Sequence, residues 1–179
     1  MVIARWLPTA IKLGLIPLTC SAAGWTAELV EPNAMALATA TRQGRPSVRT
    51  VLLKAIDDDG LVFYTNYESR KGSDLAANPY AAATMLWHPM HRQVRVEGAV
   101  TRVSGSDSDD YFASRPRGSR LSAVASPQSQ TISDPADLQE RWADLERHYG
   151  DGTIPRPLSW GGYRIAVEQI EFWQGRRNR

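Results

Sequence analysis

A chain of 179 residues suffices for one domain with a single hydrophobic core, and 42% hydrophobic with 22% charged residues excludes a disordered chain. A formal charge of +2 gives no reason to expect a nucleic-acid partner, and a single cysteine, Cys20, excludes an intrachain disulfide framework. His88, His91 and His148 have no cysteine partners and no usual ligand spacing, so no metal is expected.

Residues 1–33 carry a weak helical pattern (Trp6, Leu7, Ile11, Leu15) interrupted by Pro8 and Pro17. The apolar stretch from Leu13 to Cys20, followed by Ser21-Ala22-Ala23-Gly24, has the outline of a signal peptide. It is short, holds Pro17, and falls well below the roughly 18 residues of a membrane span. The expectation is an atypical N-terminal segment over 1–30, a cytoplasmic protein and no membrane partner.

Strong signals begin at Glu31-Pro32-Asn33. Ala34 to Ala40, Ser47 to Ile56 and Leu61 to Thr65 read as strands, separated by the turn chemistry of Arg42-Gln43-Gly44-Arg45-Pro46 and Asp57-Asp58-Asp59-Gly60. Ser69 offers an N-cap for a helix through Leu75 to about Asn78, which Pro79 stops. Ala81 to Trp87 and Gln93 to Val103 are two more strands, the second alternating Val94, Val96 and Gly98 with Arg95, Glu97 and Ala99.

Ser106, with Asp109 three residues on, predicts the start of a helix containing Tyr111 and Phe112. Asp134-Pro135 opens a helix whose stripe is Leu138, Trp142, Leu145 and Tyr149, with Gly150 ending it. Two last strands follow, Tyr163 to Val167 and Gln169 to Trp173. Short strands interrupted by helices, with no Gly-rich dinucleotide fingerprint, argue against a doubly wound parallel sheet. A mainly antiparallel β-barrel with peripheral helices is the expected class, with no linker long enough to divide the chain.

The chemistry lies in separate cationic clusters. Arg49 and Lys54 sit on one predicted strand, and Arg70-Lys71 occupy the first turn of a predicted helix, against the dipole's preference. A bound phosphate resolves that conflict, because helix N–H groups and paired cations suit a dianion; solvated surface charge is the alternative. Tyr111, Arg115 and Ser119 recur at i, i+4 and i+8, along one face if the helix persists, although Pro116 is placed to bend or end it. Phenol, guanidinium and hydroxyl all donate, as a second phosphate would require; a core Tyr with a surface Arg is the alternative. Gln128-Ser129 reads as an ordinary polar loop, Trp160 and Trp173 as core fillers, and Arg176, Arg177 and Arg179 as a basic tail.

Taken together, an ordered series of stretches resembles the pyridoxamine/pyridoxine 5'-phosphate oxidase family. They are Glu31-Pro32-Asn33-Ala34-Met35, Arg49 to Lys54, Val62 to Asn66, Ser69-Arg70-Lys71, Arg92-Gln93-Val94, Tyr111-Phe112 with Ser114 to Arg117, Gln128-Ser129, Trp160 to Arg164 and Ile170 to Gly175. The resemblance implies a split β-barrel over 31–179 that forms a homodimer with FMN at the interface. It implies FMN contacts from Arg49, Thr50, Val51, Leu52, Leu53, Lys54, Tyr64, Thr65, Arg70, Lys71, Gln93, Gln128, Ser129 and Trp173. Lys54, Tyr111, Arg115 and Ser119 would hold the phosphate of a B6 vitamer, and Arg179 matches the family's active-site arginine over the substrate ring.

The implied reaction is oxidation at the substrate's 4' carbon, with hydride transfer to flavin and reoxidation by O2 to hydrogen peroxide. Two other readings are a related flavin oxidase on another ring, of the phenazine-pathway type, and a non-catalytic FMN- or pyridoxal-phosphate-binding protein. The family pattern continues past the position of Arg179 with Leu-His-Asp-Arg and a final strand. This sequence does not contain them, so a shortened C-terminal segment and impaired activity are expected, and residues 1–30 do not follow the family's N-terminal helix.

Overall fold

The computed structural model describes residues 2–5, as backbone, and 30–176. They fall into two compact units. The first draws its described residues from Met1–Phe63, Asp74–Thr101 and Tyr163–Arg179, and the second comprises Tyr64–Ser73 and Arg102–Gly162. The chain passes between them inside continuous elements rather than through linkers.

The first unit is the barrel. Its strands are β1 (Val2–Arg5), β2 (Ala34–Ala40), β3 (Pro46–Asp57), β4 (Gly60–Asn66), β5 (Tyr80–Trp87), β6 (Arg92–Arg102) and β7 (Trp160–Gln174). They run in the order β1-β7-β4-β3-β2-β5-β6, and a β7–β6 pairing closes six of them into a barrel with β1 added along β7. The period-2 pattern decides which side chains fill it: Met35 and Leu37 on β2, Val51 and Leu53 on β3, Ala83 and Met85 on β5, Val94 and Val96 on β6 are all buried. The intervening residues form a contiguous outer face. Ala34, Ala36 and Ala38 stand opposite Leu52, Thr50 and Val48 of β3, and Ala36 and Ala38 also opposite Thr84 and Ala82 of β5.

The predicted last two strands are one. Exposed Glu168 and Gln169 break the alternation but not the backbone pairing, and Gln169 to Phe172 still pair with β1. Close packing of β7 on β6 requires a glycine. A Cβ on Gly98 would lie inside contact distance of the Ala166 carbonyl oxygen and 2.8 Å from its carbon. Gly98→Ala is therefore expected to cost about 3 kcal/mol through backbone displacement. Urea unfolding of purified variant and wild type measures this.

The second unit is helical. Helix α1 (Arg70–Ala77) contributes its first turn; α2 (Gly105–Ser114), α3 (Arg117–Ala125) and α4 (Pro135–Tyr149) complete it. Its core is Phe112, Leu121, Ile154 and Trp160, against which Trp142, Leu145 and Tyr149 of the predicted α4 stripe pack. Asp134 caps α4 as expected, its side chain accepting from the Ala136 N–H at 2.8 Å.

Two local expectations change. The cap of α2 is Ser104, accepting from the Asp107 N–H at 3.0 Å, rather than Ser106. The helix stops at Arg115, which is extended (φ −73°, ψ 148°) because the following proline ring crowds an αR residue. Pro116 then caps a separate helix, α3, so Tyr111, Arg115 and Ser119 do not share one helical face.

Candidate functional site

The end of β4 folds into a tight turn that buries a cation. Asn66 Oδ1 accepts from the Glu68 N–H at 2.7 Å, and Ser69 Oγ donates to the Asn66 carbonyl at 2.6 Å. Ser69 is fully buried and Lys71 only 6% exposed. The Lys71 ammonium donates to Thr65 Oγ1 at 3.0 Å, Ser69 Oγ at 3.1 Å and Gln128 Oε1 at 2.8 Å. Thr65 Oγ1 donates in turn to Gln128 Oε1 at 2.9 Å. Burying an ammonium is costly, and these hydrogen bonds lower that cost. Thr65, Lys71 and Gln128, separate in sequence, are thus one cluster. Arg70 beside it is exposed, as are Gln128 and Ser129, the latter in the left-handed region at φ 67°.

A second cluster in the same unit is aromatic. Tyr64 stacks on Tyr111 with ring centroids 3.9 Å apart, and Trp160 lies nearly parallel to both, at 5.5 and 6.2 Å. The Arg115 guanidinium carbon sits 4.8 Å from the Trp160 ring centroid. Its Nη1 is buried and has no hydrogen-bond partner among the described residues. Burial pushes the guanidinium below its ordinary pKa, and the charge interaction with Tyr111 partly opposes the shift. Ser119 follows in α3, half-buried. The structure thereby brings Tyr111 and Arg115 together despite the helix break.

In the barrel unit, Arg49 belongs to a polar network that sequence reasoning missed. Its Nη1 donates to Thr39 Oγ1 at 2.7 Å and to the Leu37 carbonyl at 3.3 Å, and its Nη2 donates to Ser47 Oγ. Thr39 and Ser47 donate to the Asp74 carboxylate at 2.7 and 3.3 Å, and Arg49 lies 3.9 Å from the same oxygen. One signal was available: period-2 alternation puts Thr39 on the core face with Met35 and Leu37, and a buried hydroxyl needs a partner.

The other expected cofactor contacts differ in burial. Val51 and Leu53 are core residues, Thr50 and Lys54 are exposed, Leu52 is half-buried, and a register shift falls at Lys54. Gln93 is half-buried opposite Leu86, and Trp173 is 38% exposed near the end of β7. Arg179, the expected active-site arginine, lies outside the described residues, as does all but the β1 backbone and Val30 of the expected N-terminal segment.

The family model described as "Pyridoxamine 5'-phosphate oxidase" matches residues 25–174. A protein of Salinibacter ruber named "Pyridoxine/pyridoxamine 5'-phosphate oxidase" is 56% identical over 154 residues, covering 86% of this chain and 72% of that protein. One of the same name from Rubrobacter xylanophilus is 51% identical over 175 residues, covering 98% and 74%. Among solved structures, PhzG from Burkholderia lata 383, in complex with tetrahydrophenazine-1-carboxylic acid, superposes with a TM-score of 0.80 at 32% identity, covering 84% of this chain and 74% of that one. A pyridoxamine 5'-phosphate oxidase-related, FMN-binding protein from Nostoc punctiforme shares the fold at a TM-score of 0.64 and 18% identity, covering 82% and 76%.

Proposed function

The chain belongs to the pyridoxamine 5'-phosphate oxidase family of oxidoreductases, and on that premise we propose that it oxidises pyridoxamine or pyridoxine 5'-phosphate to pyridoxal 5'-phosphate, with FMN as cofactor. The observation that carries the substrate reading is Arg115: a half-buried guanidinium with an unpartnered Nη1, beside a tyrosine, is suited to receive an anion. Tyr111 and Ser119 add hydroxyl donors from α2 and α3, and Lys54 joins them by family resemblance.

The residues around Lys71 fit FMN. A buried ammonium with Thr65, Ser69 and Gln128 supplies charge and hydrogen bonds suited to a phosphate monoester. Resemblance assigns Arg49 to Lys54, Tyr64, Arg70, Gln93, Ser129 and Trp173 to the same cofactor, and Arg179 to the substrate ring. The chemistry FMN supplies when bound is two-electron oxidation, so that an amine, O2 and water give aldehyde, ammonia and hydrogen peroxide, and an alcohol and O2 give aldehyde and peroxide. The chain's own part is to anchor both phosphates and thereby orient the substrate's 4' carbon.

We place the protein in the cytoplasm, with residues 31–179 as its FMN-binding domain, and as a homodimer with FMN at the interface. Among the described residues no helix is long and apolar enough to cross a membrane. The outer face of β2, β3 and β5 supports the dimer: Val48 is 66% and Leu86 52% exposed around a row of alanines. Ala36→Glu should leave each chain folded but weaken dimerisation at least about 100-fold, since pairing would bury an unmatched charge. Light scattering across a dilution series checks this, and an unchanged dimer would remove this face from the interface.

Likeness to PhzG supports a second reading, oxidation of a phosphate-free phenazine-type ring. The deciding assay supplies FMN-loaded protein with pyridoxamine 5'-phosphate, pyridoxamine or a reduced phenazine and measures peroxide. Turnover confined to the phosphorylated vitamer supports the first reading. Turnover on the phenazine supports the second, and tight binding without peroxide would make the chain a non-catalytic binder.

A further inference from the structure

We infer that Trp160 is a positioning residue for recognition of the substrate phosphate, its indole face holding the Arg115 guanidinium and the Tyr111 phenol in place. This rests on the proposed role of Arg115 and Tyr111 as phosphate ligands. The indole is 6% exposed and nearly parallel to the Tyr111 ring (6°), with Arg115 over its face at 4.8 Å. Phe112 meets it edge-on at 5.1 Å.

The platform is itself clamped. Arg156 Nη1 donates to the Trp160 carbonyl at 2.6 Å, while its Nε donates to Asp109 of α2 at 2.7 Å. Two residues on, the Gly162 N–H donates to Ser108 Oγ, also of α2, at 3.2 Å. A Cβ on the intervening Gly161 would meet the Tyr67 ring 2.7 Å away at Cζ. The segment 160–162 is thus tied to the helix that carries Tyr111 and ends at Arg115.

The choice of an aromatic platform has a chemical reason. A carboxylate partner would orient the guanidinium but neutralise the charge that an incoming phosphate needs. A π-face orients it through its quadrupole and leaves both the charge and the in-plane N–H donors for the anion. Nη1, buried and unpartnered, is the donor so preserved.

The test is equilibrium dialysis of FMN-loaded protein against pyridoxal 5'-phosphate and against pyridoxal, which shares the aldehyde and lacks the phosphate. Trp160→Leu should weaken pyridoxal 5'-phosphate about 10-fold and pyridoxal less than about 2-fold, and Trp160→Phe should recover most of the loss. In rate assays the loss should appear in KM for pyridoxamine 5'-phosphate with kcat little changed. Because a buried Trp160→Leu chain can fail to fold, a second series replaces all six tryptophans by fluorinated tryptophans of the same shape. Successive ring fluorination should weaken phosphate binding stepwise in the wild type and not in a Trp160→Phe background. Equal losses for both ligands, or flat affinity across the fluorinated series, would overturn the inference and leave Trp160 a core residue. A wild type that binds pyridoxal as tightly as its phosphate would sink the phosphate reading itself, before any variant is made, and this inference with it.

Discussion

Arg115→Met should lower kcat/KM for pyridoxamine 5'-phosphate by about 100-fold, while thermal stability holds or rises. A guanidinium–phosphate contact is worth about 3 kcal/mol, and its loss falls on the phosphorylated substrate alone. The stability effect has the opposite sign, because Nη1 is buried with no hydrogen-bond partner among the described residues. Removing such a group relieves about 1 kcal/mol, less whatever the cation–π contact with Trp160 contributes. Initial rates on the phosphorylated and phosphate-free vitamers, beside thermal melts, give both numbers. A variant that loses activity equally on both substrates, or that melts well below wild type, would show Arg115 to be structural.

Lys71→Met should separate cofactor affinity from stability in the same way. Its ammonium is held by two hydroxyls and an amide oxygen at 2.8 to 3.1 Å in a buried turn. Methionine is similar in length and carries no desolvation cost, so the apo-protein should be no less stable. FMN, deprived of a buried cation, should bind about 100-fold more weakly, the equivalent of about 3 kcal/mol. Flavin-fluorescence titration gives the dissociation constant, and melts with and without FMN give the stability. Unchanged FMN affinity would move the flavin phosphate away from Lys71.

The elements most legible in the sequence were those that local chemistry decides alone. Ala34–Ala40 alternates cleanly, Asp134-Pro135 caps a helix, and each appears where expected. The barrel class followed from short strands and tight turns. The α2 cap falls two residues earlier than expected because Ser104 and Ser106 are equally plausible caps, each followed three residues later by an aspartate, and it is Ser104 whose side chain accepts from the Asp107 N–H. At the site, residue types were legible and their grouping was not. Tyr111, Arg115 and Ser119 were expected on one helical face, but Pro116 breaks the helix and tertiary packing reunites the first two over Trp160. The Asp74 network was invisible for a related reason: its members lie 27 and 35 residues from Asp74, and only strand register makes them neighbours. Trp160 looked like core filler and is buried as one, but sequence carries no sign of the cation lying on its face.

The bond from Lys71 to Gln128 spans 57 residues. Closing a flexible loop of that length would cost about 3.6 kcal/mol of chain entropy, more than the roughly 1.5 to 3 kcal/mol that a hydrogen bond to a charged group returns net. The bond persists because the intervening chain is already ordered as α1, β5, β6, α2 and α3, the last two contributing Phe112 and Leu121 to the core that holds Trp160. The Lys71 cluster thus borrows its order from the apolar core of its own unit. A mutation that merely loosens that core, touching no polar atom of the cluster, will be felt first as weakened ligand affinity.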